Sequence, residues 1–303
     1  MTFKSNEGSK DMQILCEVNL CEKFESTRGK DACRVKMDIP VKCAGKAGKS
    51  CSLLFYFHGS GGNNNRASFE KQVRQKHSGP GFIGIYPQGV NNGWSTGSNG
   101  KRDEGRFVTE IVATLKKYYG WKGLKFAAGG SNGGAFVNRI AVNSGYEFDG
   151  IAALAGQLIA SPPTGGPGKL NRNTITKQTK PIPYLELHGS EDPVIPASGG
   201  TPKVFGPESN DILSTVDETL EAFAALNNCA GKNVKTISAG TTKNAEDLKA
   251  IVTTYDCNAS FPVQGVMVIK GNHGVAGNIG GIAKNQYIFN WFLALRENLL
   301  KKA

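Results

Sequence analysis

The sequence predicts an α/β fold in which helices cover both faces of a mostly parallel central sheet. Three observations predict it: short apolar runs typical of buried strands recur along the chain, stretches of helical spacing separate them, and most runs end at Gly, Pro or His-Gly. The 303 residues are compatible with one α/β domain, and no stretch has the composition of an interdomain linker. We therefore predict a single α/β domain over residues 33–303, preceded by a cysteine-containing extension over residues 1–32.

The individual elements follow from local pattern. The acidic Asp103 and Glu104 favour a helix start, and Phe107, Ile111 and Leu115 follow at a spacing of four. The predicted strands cover residues 33–41, 52–57, 82–87, 124–128, 151–156, 183–189 and 263–269. Besides the helix that carries Phe107, Ile111 and Leu115, the predicted helices cover 66–76, 135–142, 213–226 and 282–300. Two long loops, 159–180 and 197–210, are rich in Pro, Gly and polar residues, which is typical of loops that carry function.

Seven cysteines indicate an oxidising compartment. Five of them lie in the first fifth of the chain, and no CxxC pair or interleaved histidine favours a metal site. Disulfides are therefore expected, with at least one cysteine left free or paired between chains. The pairing among the first five is open: Cys16, Cys21, Cys33, Cys43 and Cys51. We predict a secreted protein, although no signal peptide is visible in this chain.

The formal net charge of +11 raises the question of a nucleic-acid partner. The lysines are spread along the chain and do not form a stripe with aromatic residues, which favours an ordinary basic surface. The chain has no apolar run long enough to cross a bilayer. We expect no nucleic-acid or membrane partner, a monomer, and no metal or organic cofactor.

A single serine sits among glycines between a predicted strand and a predicted helix. The sequence Gly129-Gly130-Ser131-Asn132-Gly133 has the G-x-S-x-G pattern of a nucleophile elbow, a turn so tight that a β-carbon two positions either side of the serine would meet its neighbours. Such a turn strains the backbone and exposes the hydroxyl above the sheet. Ser131 is therefore the candidate nucleophile, whereas an incidental serine in a structural turn is the plain alternative.

A serine hydroxyl needs a base, and the chain has four histidines. His58 and His188 end apolar strands, where a packed ring is the ordinary role, and His77 lies far upstream in a polar stretch. His273, on the loop after the last strand, is the candidate base.

The base in turn needs a carboxylate that holds its tautomer. Asp192 is the candidate acid because it lies in the turn after a strand and the following Pro193 fixes its backbone. Glu191 is the alternative.

The oxyanion of an acyl-transfer intermediate needs amide donors. We predict one from Asn132, directly after the nucleophile, and one from the loop "HGSGGNNN", through Ser60. The same loop fails as a dinucleotide fingerprint because Asn64 stands where the third glycine belongs. The stretch "CAGKAGKS" fails as a Walker loop because Cys43 replaces the first glycine, so ATP binding is rejected.

Taken together and in order, seven motifs resemble secreted α/β-hydrolase esterases of the feruloyl esterase and polyhydroxybutyrate depolymerase type, carbohydrate esterase family 1 in the broad sense. The motifs are "FYFHGSGGN", "YPQG" with a nearby "GW", "RDEGRFVTEIV", "GGSNGGAF", "AALAGQL", "LHGSEDPVIP" and "GNHG". The resemblance implies an α/β-hydrolase fold and places the family's nucleophile, acid and base on Ser131, Asp192 and His273. The chain departs from the family after the histidine, where Val275 and Ala276 stand in place of a tryptophan.

The resemblance carries further expectations about pairing and substrate. It implies a disulfide between Cys229 and Cys257. By position Trp94 and Gln157 are candidates for the substrate pocket, with a packed core tryptophan as the alternative for Trp94. The implied substrate is a feruloyl or acetyl ester on plant cell-wall polysaccharide, with a polyester such as polyhydroxybutyrate next. A serine peptidase and a catalytically silent carbohydrate-binding member of the fold are the remaining alternatives.

Overall fold

A computed structural model describes most of the predicted catalytic domain. The described residues are 2–4, 13–15, 35–62, 81–94, 104–142, 148–160, 175, 179–202, 212–241, 247–275 and 278–302. Several predictions fall outside these ranges: the helix at 66–76, His77, most of the two long loops, and Cys16, Cys21 and Cys33.

The core of the molecule is a ten-stranded sheet, which confirms the predicted α/β class. Its strands are β1 (Gln13–Leu15), β2 (Val35–Asp38), β3 (Ser52–Phe57), β4 (Phe82–Pro87), β5 (Lys125–Gly130), β6 (Gly150–Leu154), β8 (Tyr184–Gly189), β10 (Lys232–Thr241), β11 (Asp247–Tyr255) and β12 (Val263–Val268). Six neighbouring strands run parallel in the order β4-β3-β5-β6-β8-β12. The antiparallel strands β2 and β1 extend the sheet beyond β4, and β11 and β10 extend it beyond β12. Short strands also pair outside the main sheet: β7 (Ile159–Ala160) with β9 (Ile212–Leu213), and β13 (Asn278–Ile279) with β14 (Ile282–Ala283).

Helices cover the two faces of the sheet. They are α1 (Glu104–Tyr119), α2 (Asn132–Val142), α3 (Val216–Leu226) and α4 (Lys284–Leu300). Apolar side chains of α1, α2 and α3 pack into one buried cluster with strand residues such as Phe55 and Phe57. On the opposite face, Phe289 and Phe292 of α4 pack with Phe126 in a second cluster. Every residue of β3, β4, β6 and β8 is buried, as expected of parallel strands covered on both sides.

Three helices begin at residues other than those predicted: α2, α3 and α4, the last at Lys284 because Ile282–Ala283 form β14. α3 begins at Val216 because Thr215 caps it: its hydroxyl accepts from the Glu218 amide at 3.0 Å, and the Glu218 carboxylate accepts from the Thr215 amide at 2.7 Å. Leu213, predicted in this helix, lies in β9. α2 begins at Asn132, immediately after Ser131, so its first unpaired amides face the serine turn.

The antiparallel pair β10 and β11 was not predicted. In β11, Leu248, Ala250 and Val252 are buried and alternate with Lys249 and Ile251, a period of two that was available in the sequence. The pair extends the sheet beyond β12 and leaves β10, which is mostly exposed, as the edge strand.

Parts of the predicted N-terminal extension contact the domain. Phe3 is buried against Tyr119, with ring centroids 4.6 Å apart, and its carbonyl accepts a hydrogen bond from the Gly45 amide. β1 pairs with β2 at the sheet edge. The boundary at residue 32 remains a prediction. Among the described residues, no helix combines the length and hydropathy that crossing a membrane requires.

Among the described cysteines, Cys43 is bonded to Cys51 and Cys229 to Cys257. The second disulfide joins the turn after α3 to the end of β11 and matches the pair that the resemblance implies. It closes a 28-residue separation, whereas the first closes eight.

We expect the double variant C229S/C257S to lower the free energy of unfolding by roughly 3 to 4 kcal/mol, because a longer cross-linked loop removes more entropy from the unfolded chain. The matched variant C43S/C51S should lower the free energy of unfolding by less, because its cross-linked loop is shorter. Denaturant unfolding measures both, and equal losses, or none for the longer loop, would contradict the prediction.

Candidate active site

Ser131 occupies the turn between β5 and α2. Its φ angle of +55° lies in the left-handed region that residues other than glycine rarely adopt. Its amide donates to the Leu154 carbonyl at 2.7 Å. The two glycines flanking it at a distance of two residues leave no room for a side chain. A β-carbon on Gly129 would lie 2.3 Å from the Gly133 carbonyl oxygen, and one on Gly133 would lie 2.1 Å from the Phe57 carbonyl oxygen. The elbow therefore requires glycine at both positions.

Gly133→Ala is expected to destabilise the fold by about 3 kcal/mol or more, because the added methyl group meets backbone atoms of β3 that cannot rotate away. Gly231→Ala is the matched control, since its added β-carbon meets nothing within 4 Å. Thermal unfolding compares the two. A G133A protein as stable as G231A would show that the elbow is not this tight.

The structure brings the three predicted triad residues into one hydrogen-bonded line. His273 Nε2 lies 2.9 Å from Ser131 Oγ, and His273 Nδ1 lies 2.7 Å from Asp192 Oδ2. A carboxylate can only accept, so Nδ1 carries the hydrogen and Nε2 is left to accept from the serine hydroxyl. This is the tautomer that a general base needs.

Asp192 is held rigidly in the turn after β8. The amides of Val194 and Ile195 donate to its Oδ1 at 2.8 and 2.9 Å, which leaves Oδ2 for His273. Burial acts to raise the pKa of Asp192, but hydrogen bonds from His188, these amides and His273 outweigh it and hold the pKa well below its usual range. The alternative acid, Glu191, is exposed and makes no contact with His273 among the described groups.

The loop that carries His273 is fixed on both sides. Asn272 accepts from two amides, that of Val275 through its carbonyl and that of Gly274 through its side chain, and the Lys284 ammonium donates to the Gly274 carbonyl. Val275 is buried with a φ of +47°, a strained conformation for a β-branched residue. These contacts hold the loop so that the imidazole lies between Ser131 and Asp192.

The loop after β3 runs beside the serine. A β-carbon on Gly59 would lie 3.5 Å from Ser131 Cβ. His58 is buried, and burial lowers its pKa, so the ring is neutral: Nε2 accepts from the Gly89 amide at 3.0 Å, and Nδ1–H donates to the Gly59 carbonyl at 2.8 Å. Gly62 donates to the same carbonyl. Because a trans peptide points its N–H away from its C=O, the Ser60 amide is turned away from these donors.

Trp94 is packed in the core of the described structure, which corrects the pocket prediction made from its position and agrees with the alternative. Its ring is 4 % exposed, stacks on Phe136 with centroids 4.9 Å apart, and donates from Nε1 to the His58 carbonyl at 2.9 Å. Its backbone pairs twice with the Asn132 side chain, at 2.6 and 2.9 Å. Aromatic packing has drawn the residue into the core, where it ties the loop after β4 to the elbow.

Gln157 is a second correction. Its side chain is fully buried and Nε2 donates to the Pro196 carbonyl at 2.7 Å, so it joins the end of β6 to the acid turn and offers no surface to a substrate. Its Oε1 has no partner among the described groups. Sequence position placed both residues beside the site correctly but could not show which way their side chains face.

Two buried ionisable residues beside the triad were missed as site residues. His188 lies 3.4 Å from the Asp192 carboxylate, and Glu186 lies behind it on the same strand. A His-Gly strand end indicates only a packed ring, whereas "ELHGSED" does contain four ionisable side chains in seven residues. Within the described residues, no group of three or more His, Cys, Asp or Glu side chains is arranged to hold a metal ion.

Comparison with known sequences gives partial matches. No protein-family model matches the chain. Feruloyl esterase C of Emericella nidulans is 29 % identical over 154 residues, which cover 49 % of this chain and 51 % of that protein. NocK of Nocardia uniformis subsp. tsuyamanensis is 28 % identical over 184 residues, 56 % of this chain and 50 % of that one. The chain thus spans about half the length of the curated relatives it matches, and the resemblance to feruloyl esterases is confirmed.

Comparison with solved structures extends over nearly the whole chain. An acetyl xylan esterase from Aspergillus awamori superposes with a TM-score of 0.57 at 14 % identity, covering 94 % of this chain and 99 % of that one. The chain has the α/β-hydrolase fold. A thermophilic esterase from Thermogutta terrifontis, with butyrate bound, superposes with a TM-score of 0.51 at 15 % identity, and the match covers 97 % of this chain and 94 % of that one. At these identities the fold is what is shared, so activity must be argued from the site.

Proposed function

We propose that this protein is a serine esterase that hydrolyses carboxylic esters through an acyl-enzyme on Ser131. The observation that carries the proposal is the hydrogen-bonded line from Ser131 Oγ through His273 to Asp192. A serine alone is a poor nucleophile, and this line supplies both the base and the carboxylate that stabilises its protonated form.

In the acylation step, Ser131 Oγ attacks the ester carbonyl carbon while its proton passes to His273 Nε2. The tetrahedral intermediate collapses when the C–O bond to the alcohol breaks, and His273 returns the proton to the departing alkoxide oxygen. In the deacylation step, water attacks the acyl carbon and gives one proton to His273. The bond to Oγ then breaks, the proton returns to Ser131, and the acid is released.

The oxyanion is stabilised by the amides of Ser60 and Asn132. Three observations support this assignment. Asn132 is the first residue of α2, where amides lack intrahelical partners; Gly59 runs beside Ser131; and no described group accepts from either amide. Such preorganised donors are worth about 10²- to 10³-fold in rate each.

The substrate is a feruloyl or acetyl ester of plant cell-wall polysaccharide. Support comes from the partial similarity to feruloyl esterase C and from the sequence motifs. The two disulfides support a secreted protein, since such bonds persist in oxidising compartments. We expect the enzyme to act as a monomer.

A substrate panel tests the proposal. It compares methyl ferulate, 4-nitrophenyl acetate, acetylated xylan, a hydroxybutyrate oligomer and a peptide amide, each with wild type and with S131A. We expect hydrolysis of the feruloyl or acetyl esters by the wild type only. Turnover restricted to the hydroxybutyrate oligomer would indicate a polyester depolymerase. Release of amine from the peptide amide alone would indicate a peptidase. Binding of xylan without turnover of any substrate would indicate a catalytically silent member of the fold.

A further inference from the structure

Behind the triad lies a second line of ionisable side chains that the reaction described above does not use. Glu186 and His188 alternate along β8 and face the same side of the sheet, and both are fully buried. His188 Nδ1 lies 3.2 Å from Glu186 Oε1, and His188 Nε2 lies 2.8 Å from the Ile195 carbonyl oxygen and 3.4 Å from Asp192 Oδ2. Asp192 Oδ2 is therefore shared between two histidines.

The hydrogen-bond partners of Glu186 fix its charge. Asn138 Nδ2 donates to the Tyr184 hydroxyl at 3.3 Å, so the Tyr184 hydrogen is directed to Glu186 Oε2, and the Gly156 amide donates to Oε1 at 3.4 Å. The remaining neighbour is His188. Burial raises the pKa of Glu186, whereas the donors at both of its oxygens act to lower the pKa and favour the carboxylate that we assign to it.

The partners of His188 fix its charge in the same way. One ring nitrogen faces the Glu186 carboxylate, and the other faces a backbone carbonyl and the Asp192 carboxylate. All of these groups only accept hydrogen bonds, so both nitrogens must carry hydrogen. A neutral imidazole would leave one nitrogen lone pair buried against an oxygen, which is unfavourable.

We propose that His188 is a positioning residue which carries a proton at neutral pH and, paired with Glu186, keeps Asp192 ionised and directed at His273. The proposal rests on the proposed function of the triad. A cation 3.4 Å from Asp192 favours the charged form of the carboxylate, and the hydrogen bond from His188 acts to lower the pKa of Asp192. The carboxylate that orients His273 therefore persists to lower pH.

The surroundings of His188 agree with this charge state. Among the described ionisable groups only Glu186 and Asp192 contact it, whereas Tyr184 reaches it through Glu186 and His273 through Asp192. The neighbouring strand β12 places Met267 opposite it. Burial alone would lower the pKa of His188, but the hydrogen bonds to Asp192 and Glu186 and the Glu186 charge outweigh it and raise the pKa to about 9.

The charge state is measured directly in the full-length S131A protein, which needs no activity. The four histidines allow assignment of ring ¹⁵N signals by single substitutions. We expect His188 to carry two protonated ring nitrogens at pH 8. A neutral His188 ring at pH 7 would overturn the proposal whether or not the protein is an esterase.

The effect on the triad is read from pH profiles of kcat/KM for wild type, H188Q and the double variant E186Q/H188Q. The double variant removes both partners, so it leaves neither charge buried without the other. We expect the acidic limb to move to higher pH by on the order of one unit in both variants. E191Q, which removes an exposed charge next to Asp192, should leave the profile unchanged. A purely structural role of His188 would lower kcat/KM by the same factor at every pH. An acidic limb that stays at the wild-type pH in the double variant therefore overturns the proposal.

Stability supplies an independent readout if H188Q folds poorly. A folded-state pKa of about 9 against an ordinary 6.5 means that the stabilisation by this pair is complete below about pH 6.5 and is lost as pH rises through about 9. The free energy of unfolding of the wild type should fall over this interval, and that fall should be absent from E186Q/H188Q. An identical slope in both proteins would count against a charged His188. If Ser131 fails to react with an active-site probe while His188 is charged, the proposed function fails and the charge assignment stands.

Discussion

Ser131→Ala is expected to lower kcat for ester hydrolysis by about 10⁴- to 10⁶-fold while leaving the protein folded. The hydroxyl oxygen forms the bond to the acyl carbon, and no other described serine lies beside His273. The backbone strain of the elbow is unchanged, because alanine at φ +55° meets the same restriction as serine. Residual activity should reflect only binding and the oxyanion amides.

The matched control is Ser50→Ala, which removes an exposed hydroxyl that bonds only to the Ala47 carbonyl. It should retain wild-type rates. Steady-state kinetics on one activated ester, with circular dichroism of both variants, makes the comparison. A folded S131A enzyme within tenfold of wild type would rule out Ser131 as the nucleophile.

Asp192→Asn is expected to cost about 10⁴-fold in kcat, through the wrong tautomer of His273. The Val194 and Ile195 amides donate to Oδ1, so the asparagine oxygen must keep that position and its NH₂ group must take the place of Oδ2. That group then donates toward His273 Nδ1, which has to give up its hydrogen. The hydrogen moves to Nε2, and the ring can no longer accept the proton of Ser131.

Glu191→Gln is the control for this substitution, since it changes the adjacent, exposed carboxylate. Full activity in E191Q together with a loss in D192N assigns the acid to Asp192. The opposite result would return the role to Glu191. Ring ¹⁵N shifts of His273 in D192N provide a second test, because they report which nitrogen carries the hydrogen.

Local pattern was sufficient for the elements that hold the site. Short apolar runs predicted the parallel strands. The glycines around a lone serine predicted the elbow, because so tight a turn leaves no room for a side chain at those positions. Ser131, Asp192 and His273 each follow a parallel strand. They could be expected to lie together, because the carboxyl ends of parallel strands meet at one edge of the sheet.

Side-chain direction could not be predicted in the same way. Trp94 and Gln157 lie next to the site, yet aromatic stacking and a bond to Pro196 turn both inward. His188 was interpreted as a packed ring because the sequence does not show that its two nitrogens meet three oxygen acceptors. All three acceptors lie within seven residues of His188 in sequence, but only the folded turn after β8 directs them at the ring.

The central claim is that His273 makes Ser131 a reactive nucleophile, and covalent labelling by a fluorophosphonate tests it most directly. Intact-mass and peptide analysis of the folded protein should show one adduct, located on Ser131, and labelling should be slowed by at least about 10³-fold in H273A. Absence of an adduct on Ser131 in folded wild-type protein, or equally fast labelling of H273A, would contradict the account.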